Sequence, residues 1–199
     1  MHSLLYCNMK YFALLILVIP LFFSCVLDER NEEIINSDIC ILGGSEAGFS
    51  AAIQASRAGK NVILIEPTGH LGGMMVEGIV KDIRFGSARV IGGIAREIYE
   101  SLERTYGLEA DFDNPDWYSR YEPSVAEGII EDLLSHEDNI IVIRKTRIKE
   151  KDGVVKDGSL IKSITLENGS VVTAKMYIDA SIEGHLLHFA GITTETIRE

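Results

Sequence analysis

Cysteine is scarce in this 199-residue sequence, and this limits the chemistry that the chain can support. The three cysteines, Cys7, Cys25 and Cys40, have no C-x-x-C spacing, so the sequence predicts neither a metal cluster nor a redox pair. Cys40 stands within an apolar run and is predicted to be a small buried side chain. His185 and His188 have the spacing of neighbours on a helix face. No third ligand stands near them, so we predict no metal.

Basic residues are also few. Nineteen lysines and arginines stand against 30 acidic residues, which gives a net charge of −11. No basic stripe offsets this charge, so we expect no nucleic-acid partner. An anionic dinucleotide is not excluded, because helix N-termini and backbone amides bind phosphates locally. With 46% hydrophobic residues, the chain can form one core-bearing domain and a small addition.

A nearly unbroken apolar run occupies residues 11–23, behind a single positive charge. As a helix it would rise about 20 Å, short of the roughly 30 Å of a bilayer core. Its length and leading cation predict a signal peptide over residues 1–24. Residues 21–25, Leu-Phe-Phe-Ser-Cys, resemble a bacterial lipoprotein cleavage box, so we expect export and a lipid anchor on Cys25. An uncleaved anchor, a cytoplasmic protein and a start at Met9 are the open alternatives.

The acidic tract at residues 28–33 follows this segment. Such a solvated stretch is typical of a tether, which we place at residues 25–37. The folded domain is then expected to cover residues 38–199.

Residues 38–66 read as a strand, a glycine turn, a small-residue helix and a second strand that ends in an acid. Gly43, Gly44 and Gly48 predict a tight turn that approaches a pyrophosphate and packs the helix on the sheet. Ser45 replaces the middle glycine of the Gly-x-Gly-x-x-Gly pattern and adds a hydroxyl donor. Glu66, 18 residues after Gly48, is placed to accept hydrogen bonds from a ribose diol. An ordinary βαβ unit and an NAD(P)-binding dehydrogenase are the alternatives.

The next segments complete the predicted architecture. Residues 67–78 form a glycine-rich loop in which Gly72 and Gly73 can lie close to a ligand. Two amphipathic helices follow, and Ser124 and Glu127 have capping-box spacing at the start of the second. Asn168-Gly169 predicts a hairpin, and residues 177–180 predict a buried strand that returns to the parallel sheet. The predicted fold is therefore α/β: a parallel sheet with flanking helices and a small antiparallel β insertion.

Five motifs in register resemble the bacterial FAD-dependent oxidoreductases whose flavin domain is related to that of heterodisulfide reductase. The motifs occupy residues 43–48, 66–74, 91–97, 122–127 and 177–184. The resemblance implies a Rossmann-like FAD-binding domain, with FAD as cofactor and with a C-terminal part that this sequence does not include. The iron–sulfur clusters of the reductase relatives are not expected, because their cysteines are absent. A non-catalytic fragment of the same fold is the alternative.

The resemblance also implies which residues hold FAD. The glycine turn would hold the pyrophosphate, Glu66 the ribose, and the turn at residues 71–74 the phosphates or the flavin ring. Arg147 would lie near the adenine, and residues 179–181 would close over the cofactor. The implied cofactor-binding residues are Gly43, Gly44, Ser45, Ala47, Gly48, Glu66, Leu71, Gly72, Gly73, Met74, Arg147, Asp179 and Ala180. No catalytic residue or substrate is assigned, because in a flavoenzyme the hydride chemistry belongs to the cofactor.

Overall fold

A computed structural model of the chain describes residues 33–79, 81–84 and 88–193. The predicted signal peptide, the predicted lipidation site Cys25 and most of the predicted tether lie outside the described residues. Within them, no helix is long and apolar enough to cross a bilayer.

A six-stranded sheet forms the centre of the domain. Its strands are β1 (Ile34–Leu42), β2 (Val62–Glu66), β5 (Ile140–Arg144), β6 (Val154–Asp157), β7 (Leu160–Thr165) and β8 (Val171–Asp179). They lie in the order β5-β2-β1-β8-β7-β6. The first four strands in this order are parallel, whereas β7 and β6 are antiparallel to their neighbours. The predicted α/β fold with a mostly parallel sheet is confirmed.

In the described part of the chain, four α-helices accompany the sheet: α1 (Glu46–Arg57), α2 (Gly93–Thr105), α3 (Pro123–Ser135) and α4 (His185–Phe189). Helix α1 joins β1 to β2 and buries its small and apolar face, which includes Phe49, Ala52 and Ile53. The helix ends at Arg57, and Gly59 at φ +73° then allows the chain to turn back.

Successive residues of the central strands enter two separate cores. Ile41 and Leu64 pack with α1, α2 and α3 on one face of the sheet. Cys40 and Ile63 pack on the other face, against the antiparallel strands and α4. Side chains alternate across a strand, so β2 is buried along its whole length between these layers. The prediction that Cys40 is buried is confirmed, and burial raises the pKa of its thiol to about 12.

Three elements differ from the sequence prediction. β1 begins at Ile34, so residues 34–37, which we expected in the tether, pair with β8 instead. Residues 171–174, which follow the predicted hairpin turn, and the strand predicted at residues 177–180 form one strand of nine residues, because β8 pairs with β1 along its length and with β7 at its start. Consequently the predicted hairpin ribbon extends the main sheet.

The third difference is a separate two-stranded sheet that the sequence did not predict. Its antiparallel strands are β3 (Lys81–Arg84) and β4 (Tyr118–Tyr121). The predicted capping box is also wrong: the N-cap of α3 is Glu122 and Pro123 takes the first helical position. Proline is favoured there because its fixed φ suits a helix start and its missing N–H is not needed.

Candidate functional site

A groove of about 480 Å³ lies at the carboxyl ends of the parallel strands. Ligands of open α/β sheets bind at this edge. Six of the predicted cofactor-binding residues line the groove. They are Gly43, Ser45, Glu66, Gly73, Arg147 and Ala180.

The bend between β1 and α1 is packed so tightly that it excludes side chains. Gly43 has φ +99°, and a Cβ at this position would lie 2.6 Å from the carbonyl oxygen of Ala180. A Cβ on Gly48 would lie 1.8 Å from the carbonyl oxygen of Gly43. The helix therefore begins directly against the bend. The N–H groups of Glu46 and Ala47 have no intrahelical partner and carry the positive end of the helix dipole.

Ser45 connects the bend to the end of β8. As the N-cap of α1, its Oγ accepts from the N–H of Gly48 (3.4 Å) and donates to the carbonyl oxygen of Ala180 (2.7 Å). The hydroxyl predicted as a ligand donor is thus used within the protein. Serine at this position fixes the helix start relative to β8.

Glu66 is 8% exposed and lies where β2 ends. Its Oε2 accepts from the N–H of Gly44 and its Oε1 accepts from the N–H of Thr68, both at 2.7 Å. Each carboxylate oxygen has two lone pairs, so both retain capacity to accept from a ribose diol. The side chain is therefore oriented before a ligand arrives.

The turn at residues 71–74, which we predicted to contact the cofactor, lies only partly in the groove. Leu71 is fully buried, and a Cβ on Gly44 would lie 2.3 Å from its Cδ2. A Cβ on Gly72 would meet Val76 and Ile130 at 2.5 and 2.8 Å, so this glycine serves packing inside the protein. Gly73 lines the groove, whereas Met74 is 72% exposed and outside the set of lining residues.

Two side-chain contacts hold this loop against α3. The Nδ1 atom of His70 lies 2.9 Å from Oε1 of Glu127, the residue that we predicted in a capping box. Arg144, the last residue of β5, forms a bidentate pair with Glu131 (2.5 and 2.6 Å) and also donates to the carbonyl oxygen of Gly69. The hydrogen bonds to Glu131 raise the pKa of Arg144 above its ordinary value.

A turn after β5 brings Arg147 to the groove. Lys145 has φ +56°, and its N–H donates to the carbonyl oxygen of Thr68 (3.0 Å). The carbonyl oxygen of Arg147 accepts from the N–H of Glu167 (2.9 Å), which secures the turn from the other side. Its exposed side chain lines the groove.

Asp179 does not line the groove but orders the chain that does. Its Oδ1 accepts from the N–H and Oγ of Ser181, and its Oδ2 accepts from the N–H of Leu187 (2.9 Å). Ser181 Oγ in turn accepts from the N–H of His185 (2.8 Å). These bonds fix residues 181–185 along one wall of the groove.

Further lining residues were not assigned as binding residues by the sequence. Most are charged or polar residues in loops, where no periodic pattern distinguishes them from solvated surface. They include Thr68, His70, Glu77, Glu150, Glu167, Glu183 and His185. Among the described residues, no group of three or more His, Cys, Asp or Glu side chains is arranged to hold a metal.

The residues present fit an ADP-containing cofactor. The bend has no side chains that would block a pyrophosphate, and the start of α1 offers free N–H groups. Glu66 supplies acceptors for a ribose at the next strand end. The fold and this site define an α/β protein that binds a dinucleotide.

The chain belongs to the FAD dependent oxidoreductase family, whose model matches residues 38–199. FAD is therefore its cofactor. No curated protein sequence matches the chain.

Solved structures share the fold at low sequence identity. PqsL of Pseudomonas aeruginosa, in complex with 2-aminobenzoylacetate, has a TM-score of 0.56 and 15% identity over 83% of this chain and 48% of its own. A geranylgeranyl bacteriochlorophyll reductase-like protein of Thermoplasma acidophilum has a TM-score of 0.55 and 19% identity, over 80% of this chain and 43% of its own. THI4 of Thermovibrio ammonificans has a TM-score of 0.54 and 18% identity, over 89% of this chain and 71% of its own. The chain thus spans less than half the length of the first two.

Proposed function

We propose that this chain holds the ADP half of FAD at its glycine bend, within an oxidoreductase that is exported and lipid-anchored. The observation that carries the proposal is the position of the Glu66 carboxylate. It binds the N–H of Gly44 in the bend and also lines the groove. A relation to the flavin domain of heterodisulfide reductase is part of the proposal, supported by the five sequence motifs.

The roles of the chain's residues follow from their positions. The first N–H groups of α1, from Glu46 and Ala47, donate to the pyrophosphate. Glu66 accepts from the adenosine ribose, and Arg147 lies against the adenine. FAD, when bound, supplies electron or hydride transfer at its isoalloxazine ring. The described residues bind and orient the cofactor, and the activity and substrate of a whole enzyme are part of this proposal.

The cofactor can be tested directly with the purified full chain. We expect a yellow protein that releases FAD on denaturation. Glu66→Gln replaces one acceptor oxygen by a donor, so it should weaken FAD affinity at least about tenfold, the scale of a hydrogen bond to a charged group. Glu109→Gln, an exposed position outside the groove, is the matched control. Equal affinity in Glu66→Gln and Glu109→Gln would remove Glu66 from the site.

The lipid anchor is supported by the sequence of residues 21–25 and by the acidic tract that follows it. Fatty-acid labelling of the chain in a bacterial host should mark the wild type and Cys7→Ser but not Cys25→Ser. Label retained in Cys25→Ser would contradict the anchor. The net charge of −11 supports the proposal that nucleic acid is not a partner.

A further inference from the structure

The charge of the groove does not match its cofactor. Five of its lining residues are glutamates, whereas Arg147 is the only lysine or arginine that the described part of the chain contributes to the lining. The pyrophosphate of FAD carries two negative charges, so a cation close to the bend would add to the attraction of the N–H groups of α1. The glutamates are Glu66, Glu77, Glu150, Glu167 and Glu183.

Arg147 is attached to the chain that follows β7. Its carbonyl oxygen accepts from the N–H of Glu167 (2.9 Å), and the next residue, Ile148, pairs with Leu166. Ala180 and Ser181, in contrast, lie directly against the bend. A Cβ on Gly43 would lie 2.6 Å from the carbonyl oxygen of Ala180 and 2.7 Å from the nitrogen of Ser181. The segment after β8 is therefore the part of the chain that is packed on the bend.

His185 is the basic side chain in that position. Its ring lines the same groove as Gly43 and Ser45 and is 48% exposed. Its backbone N–H donates to Ser181 Oγ, and Ser45 Oγ donates to the carbonyl oxygen of Ala180. The backbone of His185 is thus hydrogen-bonded to Ser181, the residue after the one that Ser45 contacts at the start of α1.

We propose that the imidazolium of His185 contacts the pyrophosphate of FAD and is the cationic partner of the glycine bend. This inference rests on the proposed function of the groove. Oε2 of Glu183 lies 3.5 Å from Nε2 of His185, so the ring already interacts with an anion. A dianionic pyrophosphate offers a stronger acceptor for the same nitrogen.

The other charged groups near His185 do not replace it. Both carboxylate oxygens of Asp179 accept bonds from its own turn. Lys156 of β6 donates to the carbonyl oxygen of Ala190, at the far end of α4. The ring of His188 lies against Phe189, and His188 does not line the groove. Glu77, which lines the groove beyond the bend, is an anion.

The test compares phosphate-bearing and phosphate-free probes on the full chain. At about pH 5.5, where histidine side chains are ordinarily protonated, His185→Gln should weaken FAD and ADP binding about tenfold. Adenosine binding should not change. At about pH 8.5, where histidines are ordinarily neutral, the wild type and His185→Gln should bind ADP alike. His185→Lys, which keeps a cation at both values, should bind ADP tightly at both.

His188→Gln is the matched control, because it changes a histidine on the same helix outside the groove. It should leave every affinity as in the wild type. An unchanged ADP affinity in His185→Gln at low pH would overturn the inference, as would an equal loss for adenosine. If His185→Gln has no effect but FAD binds, only this inference fails. If the wild type binds neither FAD nor ADP at any pH, the proposed function fails with it.

Discussion

Replacing Gly48 by alanine tests the packing that creates the dinucleotide site. The new Cβ would lie 1.8 Å from the carbonyl oxygen of Gly43, whereas ordinary contact begins at 3.4 Å. Neither atom belongs to a flexible side chain. Gly43 cannot move away, because its N–H donates to the carbonyl oxygen of Ile65 (2.8 Å) and the backbone of Ala180 is packed against it. Helix α1 must therefore withdraw by about 1.6 Å.

Such a withdrawal opens a gap beneath the buried face of α1. Gaps of about 0.5–1 Å already forfeit a quarter to a half of the dispersion energy of the atoms concerned. Overpacking a core typically costs about 1–3 kcal/mol, and here Phe49 and Ile53 lose contacts as well. We therefore expect Gly48→Ala to lower the free energy of unfolding by about 3 kcal/mol or more.

Gly128→Ala is the matched control, because Gly128 lies within α3 and no atom lies within 4 Å of its added Cβ. Alanine in a helix interior is favoured over glycine by about 0.5–1 kcal/mol, so this variant should be more stable than the wild type. Urea unfolding followed by far-UV circular dichroism measures both. Equal stabilities for Gly48→Ala and Gly128→Ala would refute the close approach of α1 to the bend.

Three further predictions concern the frame around the site. Arg57 forms a bidentate pair with Glu97 (2.7 and 2.9 Å), which holds the pKa of Glu97 below its ordinary 4.5. Because the side chains are 35% and 38% exposed, Glu97→Gln should cost only about 1 kcal/mol or less at neutral pH. Because folding lowers the pKa of Glu97, its ionised carboxylate stabilises the fold above pH 4.5. Urea unfolding should therefore show that the stability difference between the wild type and Glu97→Gln vanishes as the pH falls through the pKa of Glu97 in the folded protein. Leu64→Ala should cost about 2–5 kcal/mol in the same assay, because Leu64 is fully buried between the layers; a smaller loss would contradict the two-core packing. In a chain whose other cysteines are serine, Cys40 should resist thiol alkylation until the protein is unfolded, and rapid labelling of the native protein would contradict its burial.

The sequence predicts the βαβ unit because its signals are local. The apolar strand before Gly43, the small-residue helix and the acid at Glu66 stand within 29 residues, and the structure contains each of these elements. Gly43, Ser45 and Glu66 line the groove as expected.

The other site assignments depend on tertiary contacts that a linear pattern does not contain. Leu71 follows a glycine-rich loop in sequence but packs under Gly44. Asp179 accepts hydrogen bonds from Ser181 in the turn that follows β8 and does not line the groove. The sheet of β3 and β4 was missed because its strands have four residues each and are separated by more than 30 residues. Short strands of this kind acquire their pairing only from long-range packing.

Competition between parts of the cofactor tests the central claim most directly, namely that the groove holds the ADP half of FAD. The measurement is displacement of FAD from the purified full chain, followed by flavin fluorescence, with ADP and FMN as competitors. If the bend and Glu66 bind the pyrophosphate and the adenosine ribose, ADP displaces FAD and FMN does so far less effectively. Displacement by FMN without displacement by ADP would contradict this account.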